Sequence, residues 1–236
     1  MSLPYFSLVL HIIMKKKNLA LFDLDDTLFD GDTEGEWVKY MDQAGLIQDP
    51  EFFNEMESFG KSYRQGDLNV DEYSEFLLSP LVGKNLKELE DKIDIFTSDV
   101  IDRLTDELTE ELLLKHRDDT KILTSGSLTF LVKVIGQKMG IETCFGTDPE
   151  YKDNIFTGKV EGSPNFSEEK VRRIKIWMQS NHFEKIFAYS DSIHDLPLLE
   201  FSDIPSAISP DKKLLKVAEE RKWMVEDRRN TTRSLP

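Results

Sequence analysis

Residues 18–22, Asn-Leu-Ala-Leu-Phe, run directly into the acidic cluster Asp23-Leu24-Asp25-Asp26-Thr27, and this junction decides the fold. A short apolar run that stops at polar residues is typical of a buried strand that reaches a loop. Two further runs end in the same way: residues 121–123 lead into Thr124-Ser125-Gly126-Ser127, and residues 186–189 lead into Ser190-Asp191-Ser192. Open parallel sheets bind ligands at the carboxyl ends of their strands. The three junctions therefore predict one polar site at one edge of a parallel sheet.

Helices are predicted between these strands. Residues 128–139 precede Gly140, a good helix stop, and residues 168–180 follow the cap-like Ser167 with glutamates in the first turn. Strands that alternate with helices in this way predict an α/β protein with a doubly wound parallel sheet, or Rossmann-like core.

Residues 31–112 interrupt the alternation. Near the end of this stretch, apolar residues recur every three or four positions, as on one face of a long helix or of two consecutive helices. These residues are Leu86, Leu89, Ile93, Phe96, Val100, Leu104, Leu108 and Leu112. We interpret 31–112 as an all-helical cap inserted over the end of the first strand, with a separate, unrelated domain as the alternative. Residues 15–30 and 113–236 then form the core.

Residues 1–14 are apolar but shorter than the roughly 20 residues that span a bilayer. Three lysines follow this run instead of preceding it, which is the wrong order for a signal peptide. We interpret the segment as an N-terminal extension, with Met14 as an alternative start. An added edge strand or packing segment and a membrane contact are the other interpretations.

The charge balance narrows the choice of partners. The chain has 30 Lys and Arg against 45 Asp and Glu, a formal net charge of −15, which disfavours binding to nucleic acid and favours a divalent cation. The single Cys144 cannot form an internal disulfide, which fits a reducing cytoplasm. We expect a cytoplasmic protein with no membrane or nucleic-acid partner, and the sequence leaves the oligomeric state open.

Asp23 and Asp25 are the first candidate site residues. Two carboxylates at this spacing in an extended chain share one face and repel each other unless a cation joins them. Mg²⁺ accepts oxygen ligands from one or two carboxylates and leaves other positions for water and phosphate. A cluster of helix N-caps is the alternative interpretation of these residues.

The segment Phe22-Asp23-Leu24-Asp25-Asp26-Thr27-Leu28 resembles the first signature of the haloacid dehalogenase superfamily of phosphohydrolases. The later signatures of that family follow in the same order. Residues 124–127 resemble the second, Lys170 resembles the third, and Asp191 with Asp195 resembles the acidic fourth. The resemblance implies an aspartyl-phosphate mechanism, with Asp23 as the nucleophile and Asp25 as the general acid and base.

The same resemblance implies roles for the other matching residues. Ser125 and the Gly126 amide would hold phosphate oxygens, with Thr124 or Ser127 as substitutes for Ser125. Lys170 would offset the negative charge of the phosphate. The implied Mg²⁺ ligands lie in the two acidic segments, and they are Asp23, Asp25 through its backbone carbonyl, Asp191 and Asp195. An N-cap of the following helix is the alternative interpretation of Asp195.

Further matches point to the phosphoserine-phosphatase-like branch of the superfamily, whose helical cap follows the first signature. The matches cover nearly all of residues 19–223 and include 29–33, 63–66, 71–73, 167–171 and 195–199. They imply that Asp32 meets an amine-bearing substrate, although Asp32 is also a candidate helix cap, and that Arg64 contacts substrate or is simply solvated. Two departures are Ser190 in place of the usual Gly and His194 in place of Asn. We interpret His194 as structural.

The resemblance implies a magnesium-dependent phosphomonoester hydrolase that acts on a small phosphorylated metabolite, with phosphoserine-like or other amine-bearing phosphates as the nearest class. A phosphotransferase or phosphomutase would use the same residues. A receiver-type signalling module with a long-lived phospho-aspartate is the alternative from a different class, and an 80-residue insertion argues against it.

Overall fold

The computed structural model describes residues 17–179 and 181–228, in which six parallel strands form one sheet in the order β3-β2-β1-β6-β7-β8. The strands are β1 (Leu19–Phe22), β2 (Thr120–Leu128), β3 (Thr143–Thr147), β6 (Ile186–Ser190), β7 (Ile204–Ile208) and β8 (Met224–Glu226). A separate antiparallel hairpin consists of β4 (Pro149–Lys152) and β5 (Ile155–Val160). The predicted α/β class with a doubly wound parallel sheet is confirmed.

The central strand β1 is fully buried because helices cover both faces of the sheet. Ala20 and Phe22 belong to one hydrophobic cluster, whereas Leu19 and Leu21 belong to the cluster on the opposite face. This alternation explains why the strand is a continuous apolar run. The flanking helices are α6 (Thr129–Lys138), α7 (Glu168–Met178), α8 (Leu196–Phe201) and α9 (Lys212–Arg221).

The strand register brings three chain junctions to the same level. Phe22 at the end of β1 pairs with Leu123 of β2 on one side and with Tyr189 of β6 on the other. The residues that follow these positions therefore meet at one edge of the sheet, as the sequence predicts.

Five helices lie between β1 and β2. They are α1 (Thr33–Gln43), α2 (Phe52–Gln65), α3 (Val70–Leu78), α4 (Leu86–Leu104) and α5 (Glu107–Lys115). The apolar spacing over 86–112 belongs to two consecutive helices, because Asp106 caps the second one in a reciprocal pair with Thr109. The bounds of 31–112 as a separate domain stay a prediction.

The helical insertion shares a core with one face of the sheet. Trp37 and Phe96 of the insertion belong to the same buried cluster as Leu131 and Ile135 of α6. The hairpin adds a second attachment, since Phe156 of β5 exchanges backbone hydrogen bonds with Gly83 and Lys84. The insertion is thus packed firmly against the core at this side.

Two local expectations differ from the structure. Residues 124–127, expected in a loop, fall within β2, where the register with β3 shifts between Thr124 and Leu128. The hairpin was not predicted, although Asp153 and Asn154 between its strands form a two-residue turn with both φ angles positive, at 55° and 64°. The N-terminal extension, 1–14, lies outside the described residues. None of the described helices is long and apolar enough to cross a membrane.

Candidate active site

A cavity of about 350 Å³ lies at the carboxyl edge of the sheet, beneath α1, α2 and α3. Seven acidic residues line it: Asp23, Asp25, Asp26, Asp32, Glu34, Asp191 and Asp195. Among the described residues that line it, Lys170 is the only Lys or Arg. The volume is at the small end of the range for ligand pockets and suits a small metabolite.

Lys170 joins two of these carboxylates. Its Nζ donates to Asp23 Oδ1 at 2.8 Å and to Asp195 Oδ2 at 2.7 Å, and all three side chains are buried. Burial lowers the pKa of Lys170, but its attraction to Asp195 and Asp23 outweighs that effect, so the pKa is raised. The amine is therefore held in its charged form beside the predicted nucleophile. The structure places Lys170, and none of its basic neighbours on α7, in the site.

Asp23 follows β1 directly, and its backbone N–H donates to Tyr189 O at 3.1 Å. Burial raises the pKa of Asp23, and the Lys170 ammonium counteracts this rise. The charged form of Asp23 thus depends on a cation at the site.

Asp25 has different surroundings, although it is only two residues away. Its Oδ1 accepts the Thr33 backbone N–H at 2.6 Å, and its Oδ2 accepts the hydroxyls of Ser125 and Ser127, each at 3.1 Å. Burial, followed by repulsion from Asp32, raises the pKa of Asp25. A raised carboxyl pKa with no ammonium partner is what a proton-transferring group needs.

A tight irregular turn over Leu24–Leu28 gives Asp23 and Asp25 their different surroundings. The Phe29 N–H donates to Leu24 O at 2.9 Å, and Asp26 lies in the left-handed region with a φ of 52°. The turn also carries Thr27, whose Oγ1 donates to Asp191 Oδ1 at 3.3 Å and accepts the Asp191 N–H at 3.0 Å. The first and last acidic segments are thereby held together.

Asp191 has the strongest need of a cation. Burial, followed by repulsion from Asp23, raises the pKa of Asp191 to about 9. Within residues 17–179 and 181–228, no three His, Cys, Asp or Glu side chains form a ready metal-ligand group. The carboxylates of Asp23 and Asp191 line the same cavity and repel each other. Two such carboxylates, with further positions for water and phosphate, fit the preferences of Mg²⁺.

One carboxylate oxygen of Asp195 accepts hydrogen bonds from two side chains. Its Oδ2 accepts from Lys170 and also from the Ser190 hydroxyl, at 2.8 Å. The Ser190 hydroxyl therefore helps to fix the Asp195 carboxylate. The structure brings Asp195 to the site through Lys170.

The predicted phosphate-binding segment lies at the cavity, but its residues differ in their exposure to it. Gly126 and Ser127 line the cavity, whereas Ser125 is fully buried and does not. The backbone around them is held by Asn165, whose Nδ2 donates to Ser125 O at 2.9 Å, and by Thr147, whose hydroxyl donates to Gly126 O at 2.6 Å. Neither Asn165 nor Thr147 was predicted, because each lies in a different part of the chain.

Asp32 is a helix cap, as one of the two interpretations predicts. Its Oδ1 caps α1 by accepting the backbone N–H groups of Glu34 and Gly35, at 2.9 and 3.2 Å, and its side chain lines the cavity. Arg64 is different: it is exposed on α2 and is not among the cavity-lining residues. The structure therefore does not bring Arg64 into the site, and the expectation of a substrate contact is corrected here.

Glu34 and Tyr73 are site residues that the sequence analysis missed. Both line the cavity, and the Tyr73 hydroxyl donates to Glu34 Oε2 at 3.1 Å. Burial, followed by repulsion from Asp32 and Asp25, raises the pKa of Glu34 to about 8. The one available signal is that Glu34 lies in the first turn of the helix after the acidic cluster.

His194 forms part of the wall of the cavity. Its ring lies 5.4 Å from that of Tyr63 on α2 and 4.9 Å from that of Phe166 on the core side. Burial lowers its pKa. It contacts the insertion and the core at once, which agrees with the structural role expected for it.

Comparison with known proteins agrees with this geometry. Residues 20–200 match the family model of haloacid dehalogenase-like hydrolases. A histidinol-phosphatase of Neisseria meningitidis is 32% identical over 218 residues, which cover 89% of this chain and 98% of that protein. A phosphoserine phosphatase of Mycobacterium tuberculosis is 26% identical, with 88% of this chain and 70% of that protein covered. A solved structure of a Bordetella pertussis protein of unknown function matches with a TM-score of 0.82 at 31% identity, covering 90% of this chain and 99% of that one.

The chain belongs to the haloacid dehalogenase-like hydrolases. It is an enzyme of the phosphatase type, similar to the histidinol- and phosphoserine phosphatases.

Proposed function

We propose that this enzyme is a magnesium-dependent phosphomonoester hydrolase that acts on a small amine-bearing phosphate through a phosphorylated Asp23. The observation that carries the proposal is the contrast between two neighbouring carboxylates. Asp23 is paired with the Lys170 ammonium, whereas Asp25 is held by two hydroxyls and one backbone amide. These different hydrogen-bond partners fit a nucleophile beside a cation and a proton-transferring group held by neutral donors.

In the first half-reaction, a carboxylate oxygen of Asp23 attacks phosphorus and the bond from phosphorus to the leaving oxygen breaks. Asp25 gives its proton to that oxygen, so the product leaves as an alcohol. In the second half-reaction, Asp25 takes a proton from water as the water oxygen attacks phosphorus. The bond between phosphorus and Asp23 then breaks, which releases inorganic phosphate and restores both side chains.

The surrounding residues offset the negative charge of the phosphoryl group. Lys170, kept charged and oriented by Asp195, lies against Asp23, and the Gly126 segment supplies backbone donors. Asp23, the Asp25 carbonyl and Asp191 would hold Mg²⁺. When bound, the ion would supply positive charge that lets an anionic nucleophile approach an anionic phosphate. We propose that Asp195 is a positioning residue for Lys170.

The amine-bearing substrate class is supported by the acidic cavity and by the relatives. The histidinol-phosphatase and the phosphoserine phosphatase are both named for phosphate esters that carry an amine. A substrate cation fits a cavity in which seven carboxyl groups face a single lysine.

The test is phosphate release from a panel of phosphorylated metabolites with and without Mg²⁺. The panel contains amines, sugars, nucleotides and p-nitrophenyl phosphate. We expect magnesium-dependent multiple turnover, with the highest kcat/KM on a small phosphorylated amine. An enzyme that releases no phosphate from any compound, p-nitrophenyl phosphate included, would contradict the proposal. Transfer to added alcohols in preference to water would instead identify a phosphotransferase.

A further inference from the structure

Two acidic side chains of the cavity have no cation partner in the described part of the chain. Asp32 is the N-cap of α1 and Glu34 lies in the first turn, and neither takes part in any of the ion pairs of the described residues. Lys39 on the same helix forms its ion pair with Glu36 and attracts Asp32 only from a longer distance. Tyr73 fixes Glu34 by a hydrogen bond that a neutral group supplies. Two carboxylates that face one cavity and lack an ion-pair partner there attract a cation.

Beyond Lys170, the described residues that line the cavity include no Lys or Arg that could pair with a carboxylate of the substrate. Lys170 is the only Lys or Arg among the described cavity-lining residues, and Asp23 and Asp195 already engage it. Arg64 lies outside the cavity lining and is exposed. A carboxylate on the leaving group would therefore face Asp32 and Glu34 with no partner, and unpaired like charges discriminate strongly against a ligand.

The wall beside the acidic pair is apolar. Phe59 packs against Tyr73 with ring centroids 5.4 Å apart, so an aromatic face adjoins the tyrosine that holds Glu34. Met56, Leu68 and Val70 also line this cavity. An ammonium group with a hydrocarbon or ring attached matches an acidic pair next to such a wall.

We propose that the site selects the phosphate monoester of an amino alcohol that has no carboxylate, with Glu34 and Asp32 binding the ammonium group. Glu34 and Asp32 are then the residues that determine specificity, and Tyr73 positions Glu34. The proposal rests on the phosphatase function proposed above and narrows its substrate class to amino-alcohol phosphates as opposed to phosphoamino acids.

The test compares O-phosphoethanolamine with O-phosphoserine, which differ only by the carboxylate, and uses p-nitrophenyl phosphate to report the core chemistry. We expect kcat/KM for phosphoethanolamine to exceed that for phosphoserine by at least about tenfold, or about 1.4 kcal/mol. The phosphate of phenylalaninol should be a better substrate than phosphoethanolamine because its ring meets the apolar wall. Equal or better turnover of phosphoserine, with p-nitrophenyl phosphate hydrolysed, would overturn this inference alone. No turnover of any compound would instead overturn the phosphatase proposal.

Variants of α1 assign the effect to the acidic pair. Glu34→Gln keeps the size of the side chain and a partner for the Tyr73 hydroxyl but removes the charge. It should lower the ratio of kcat/KM for phosphoethanolamine over p-nitrophenyl phosphate by about tenfold or more, through a higher KM and a lower kcat. Glu36→Gln removes the same charge from the same helix outside the cavity and should leave that ratio unchanged. The same ratio in both variants and in the unsubstituted enzyme would contradict the assignment. The substrate pair tests the proposal on the unsubstituted enzyme even where a variant does not fold.

Discussion

Replacing Asp25 by Asn removes the proton that both half-reactions need while keeping the local structure. The amide oxygen of Asn can still accept the Thr33 N–H, a bond of 2.6 Å in the structure. Its NH₂ group would face the hydroxyls of Ser125 and Ser127, which can rotate to accept instead of donate. The variant also loses a carboxylate whose charged form is disfavoured by burial and by repulsion from Asp32. We therefore expect it to fold with a Tm within a few degrees of the unsubstituted enzyme.

The expected loss of activity follows from the proton alone. General acid–base catalysis is worth about 10²- to 10⁴-fold, or about 2.7–5.4 kcal/mol in the barrier. Turnover of a substrate with a poor leaving group should fall by that factor. A good leaving group such as p-nitrophenolate needs little protonation, so its phosphoryl group can still reach Asp23. Hydrolysis of the resulting intermediate needs the base and should become the slow step.

Intact-mass measurement on acid-quenched protein checks this reasoning. After reaction with p-nitrophenyl phosphate and Mg²⁺, the Asp25→Asn protein should carry one phosphoryl group. The matched Asp23→Asn protein lacks the nucleophile and should carry none, with activity near the uncatalysed rate. The reverse pattern, or a phosphoryl group mapped by peptide mass to Ser125 or His194, would refute the assignment of the two carboxylates.

Three further predictions concern the metal, the leaving group and the pH dependence of stability. EDTA should abolish turnover and Mg²⁺ should restore it, whereas Ca²⁺ should inhibit because of its looser coordination; full activity in chelator would contradict the ligand set. Asp32→Ala should raise KM for a phosphorylated amine, whereas Arg64→Ala should leave that KM within about threefold because Arg64 is exposed and outside the cavity. A large rise in KM for Arg64→Ala with none for Asp32→Ala, in steady-state kinetics, would restore Arg64 as a substrate contact. Burial lowers the pKa of His116 below its ordinary value of 6.5, so the unfolded state binds more protons and the free energy of unfolding should fall as the pH drops through about 6.5. His116→Gln should reduce this loss of stability, measured by urea unfolding at pH 5.5 and at pH 7.5.

The position of the proposed catalytic carboxylates could be predicted because it depends on one strand. Residues 19–22 are apolar on both faces, so they define a central strand, and the next residue must emerge at the edge of the sheet. The same reasoning places residues 124–127 and Asp191 at that edge without any knowledge of side-chain contacts. Lys170 is harder to place, because only the packing of α7 distinguishes it from the basic residues that follow it.

The specificity residues could not be predicted in the same way. Glu34 and Tyr73 are 39 residues apart, and their contact depends on how three helices of the insertion cross. Helix periodicity gives the buried face of each helix but not the angle between helices. Arg64 illustrates the resulting error, since a position matched by resemblance alone lies outside the cavity. The β4–β5 hairpin is a different case: its Asp153-Asn154 turn is a local signal that the sequence does contain.

In the proposed mechanism, one backbone amide connects the proton-transferring group with the residues that select the substrate. Thr33 donates its N–H to Asp25 Oδ1, and its two neighbours in the chain, Asp32 and Glu34, form the proposed ammonium receptor. An ammonium group bound there would pair two carboxylates that otherwise repel each other across the same helical turn. That turn would then be fixed by the substrate at the moment when Asp25 must be aimed at the leaving oxygen. A substrate without the ammonium group leaves the turn with its repulsion intact, so the enzyme should lose kcat as well as affinity for such a compound.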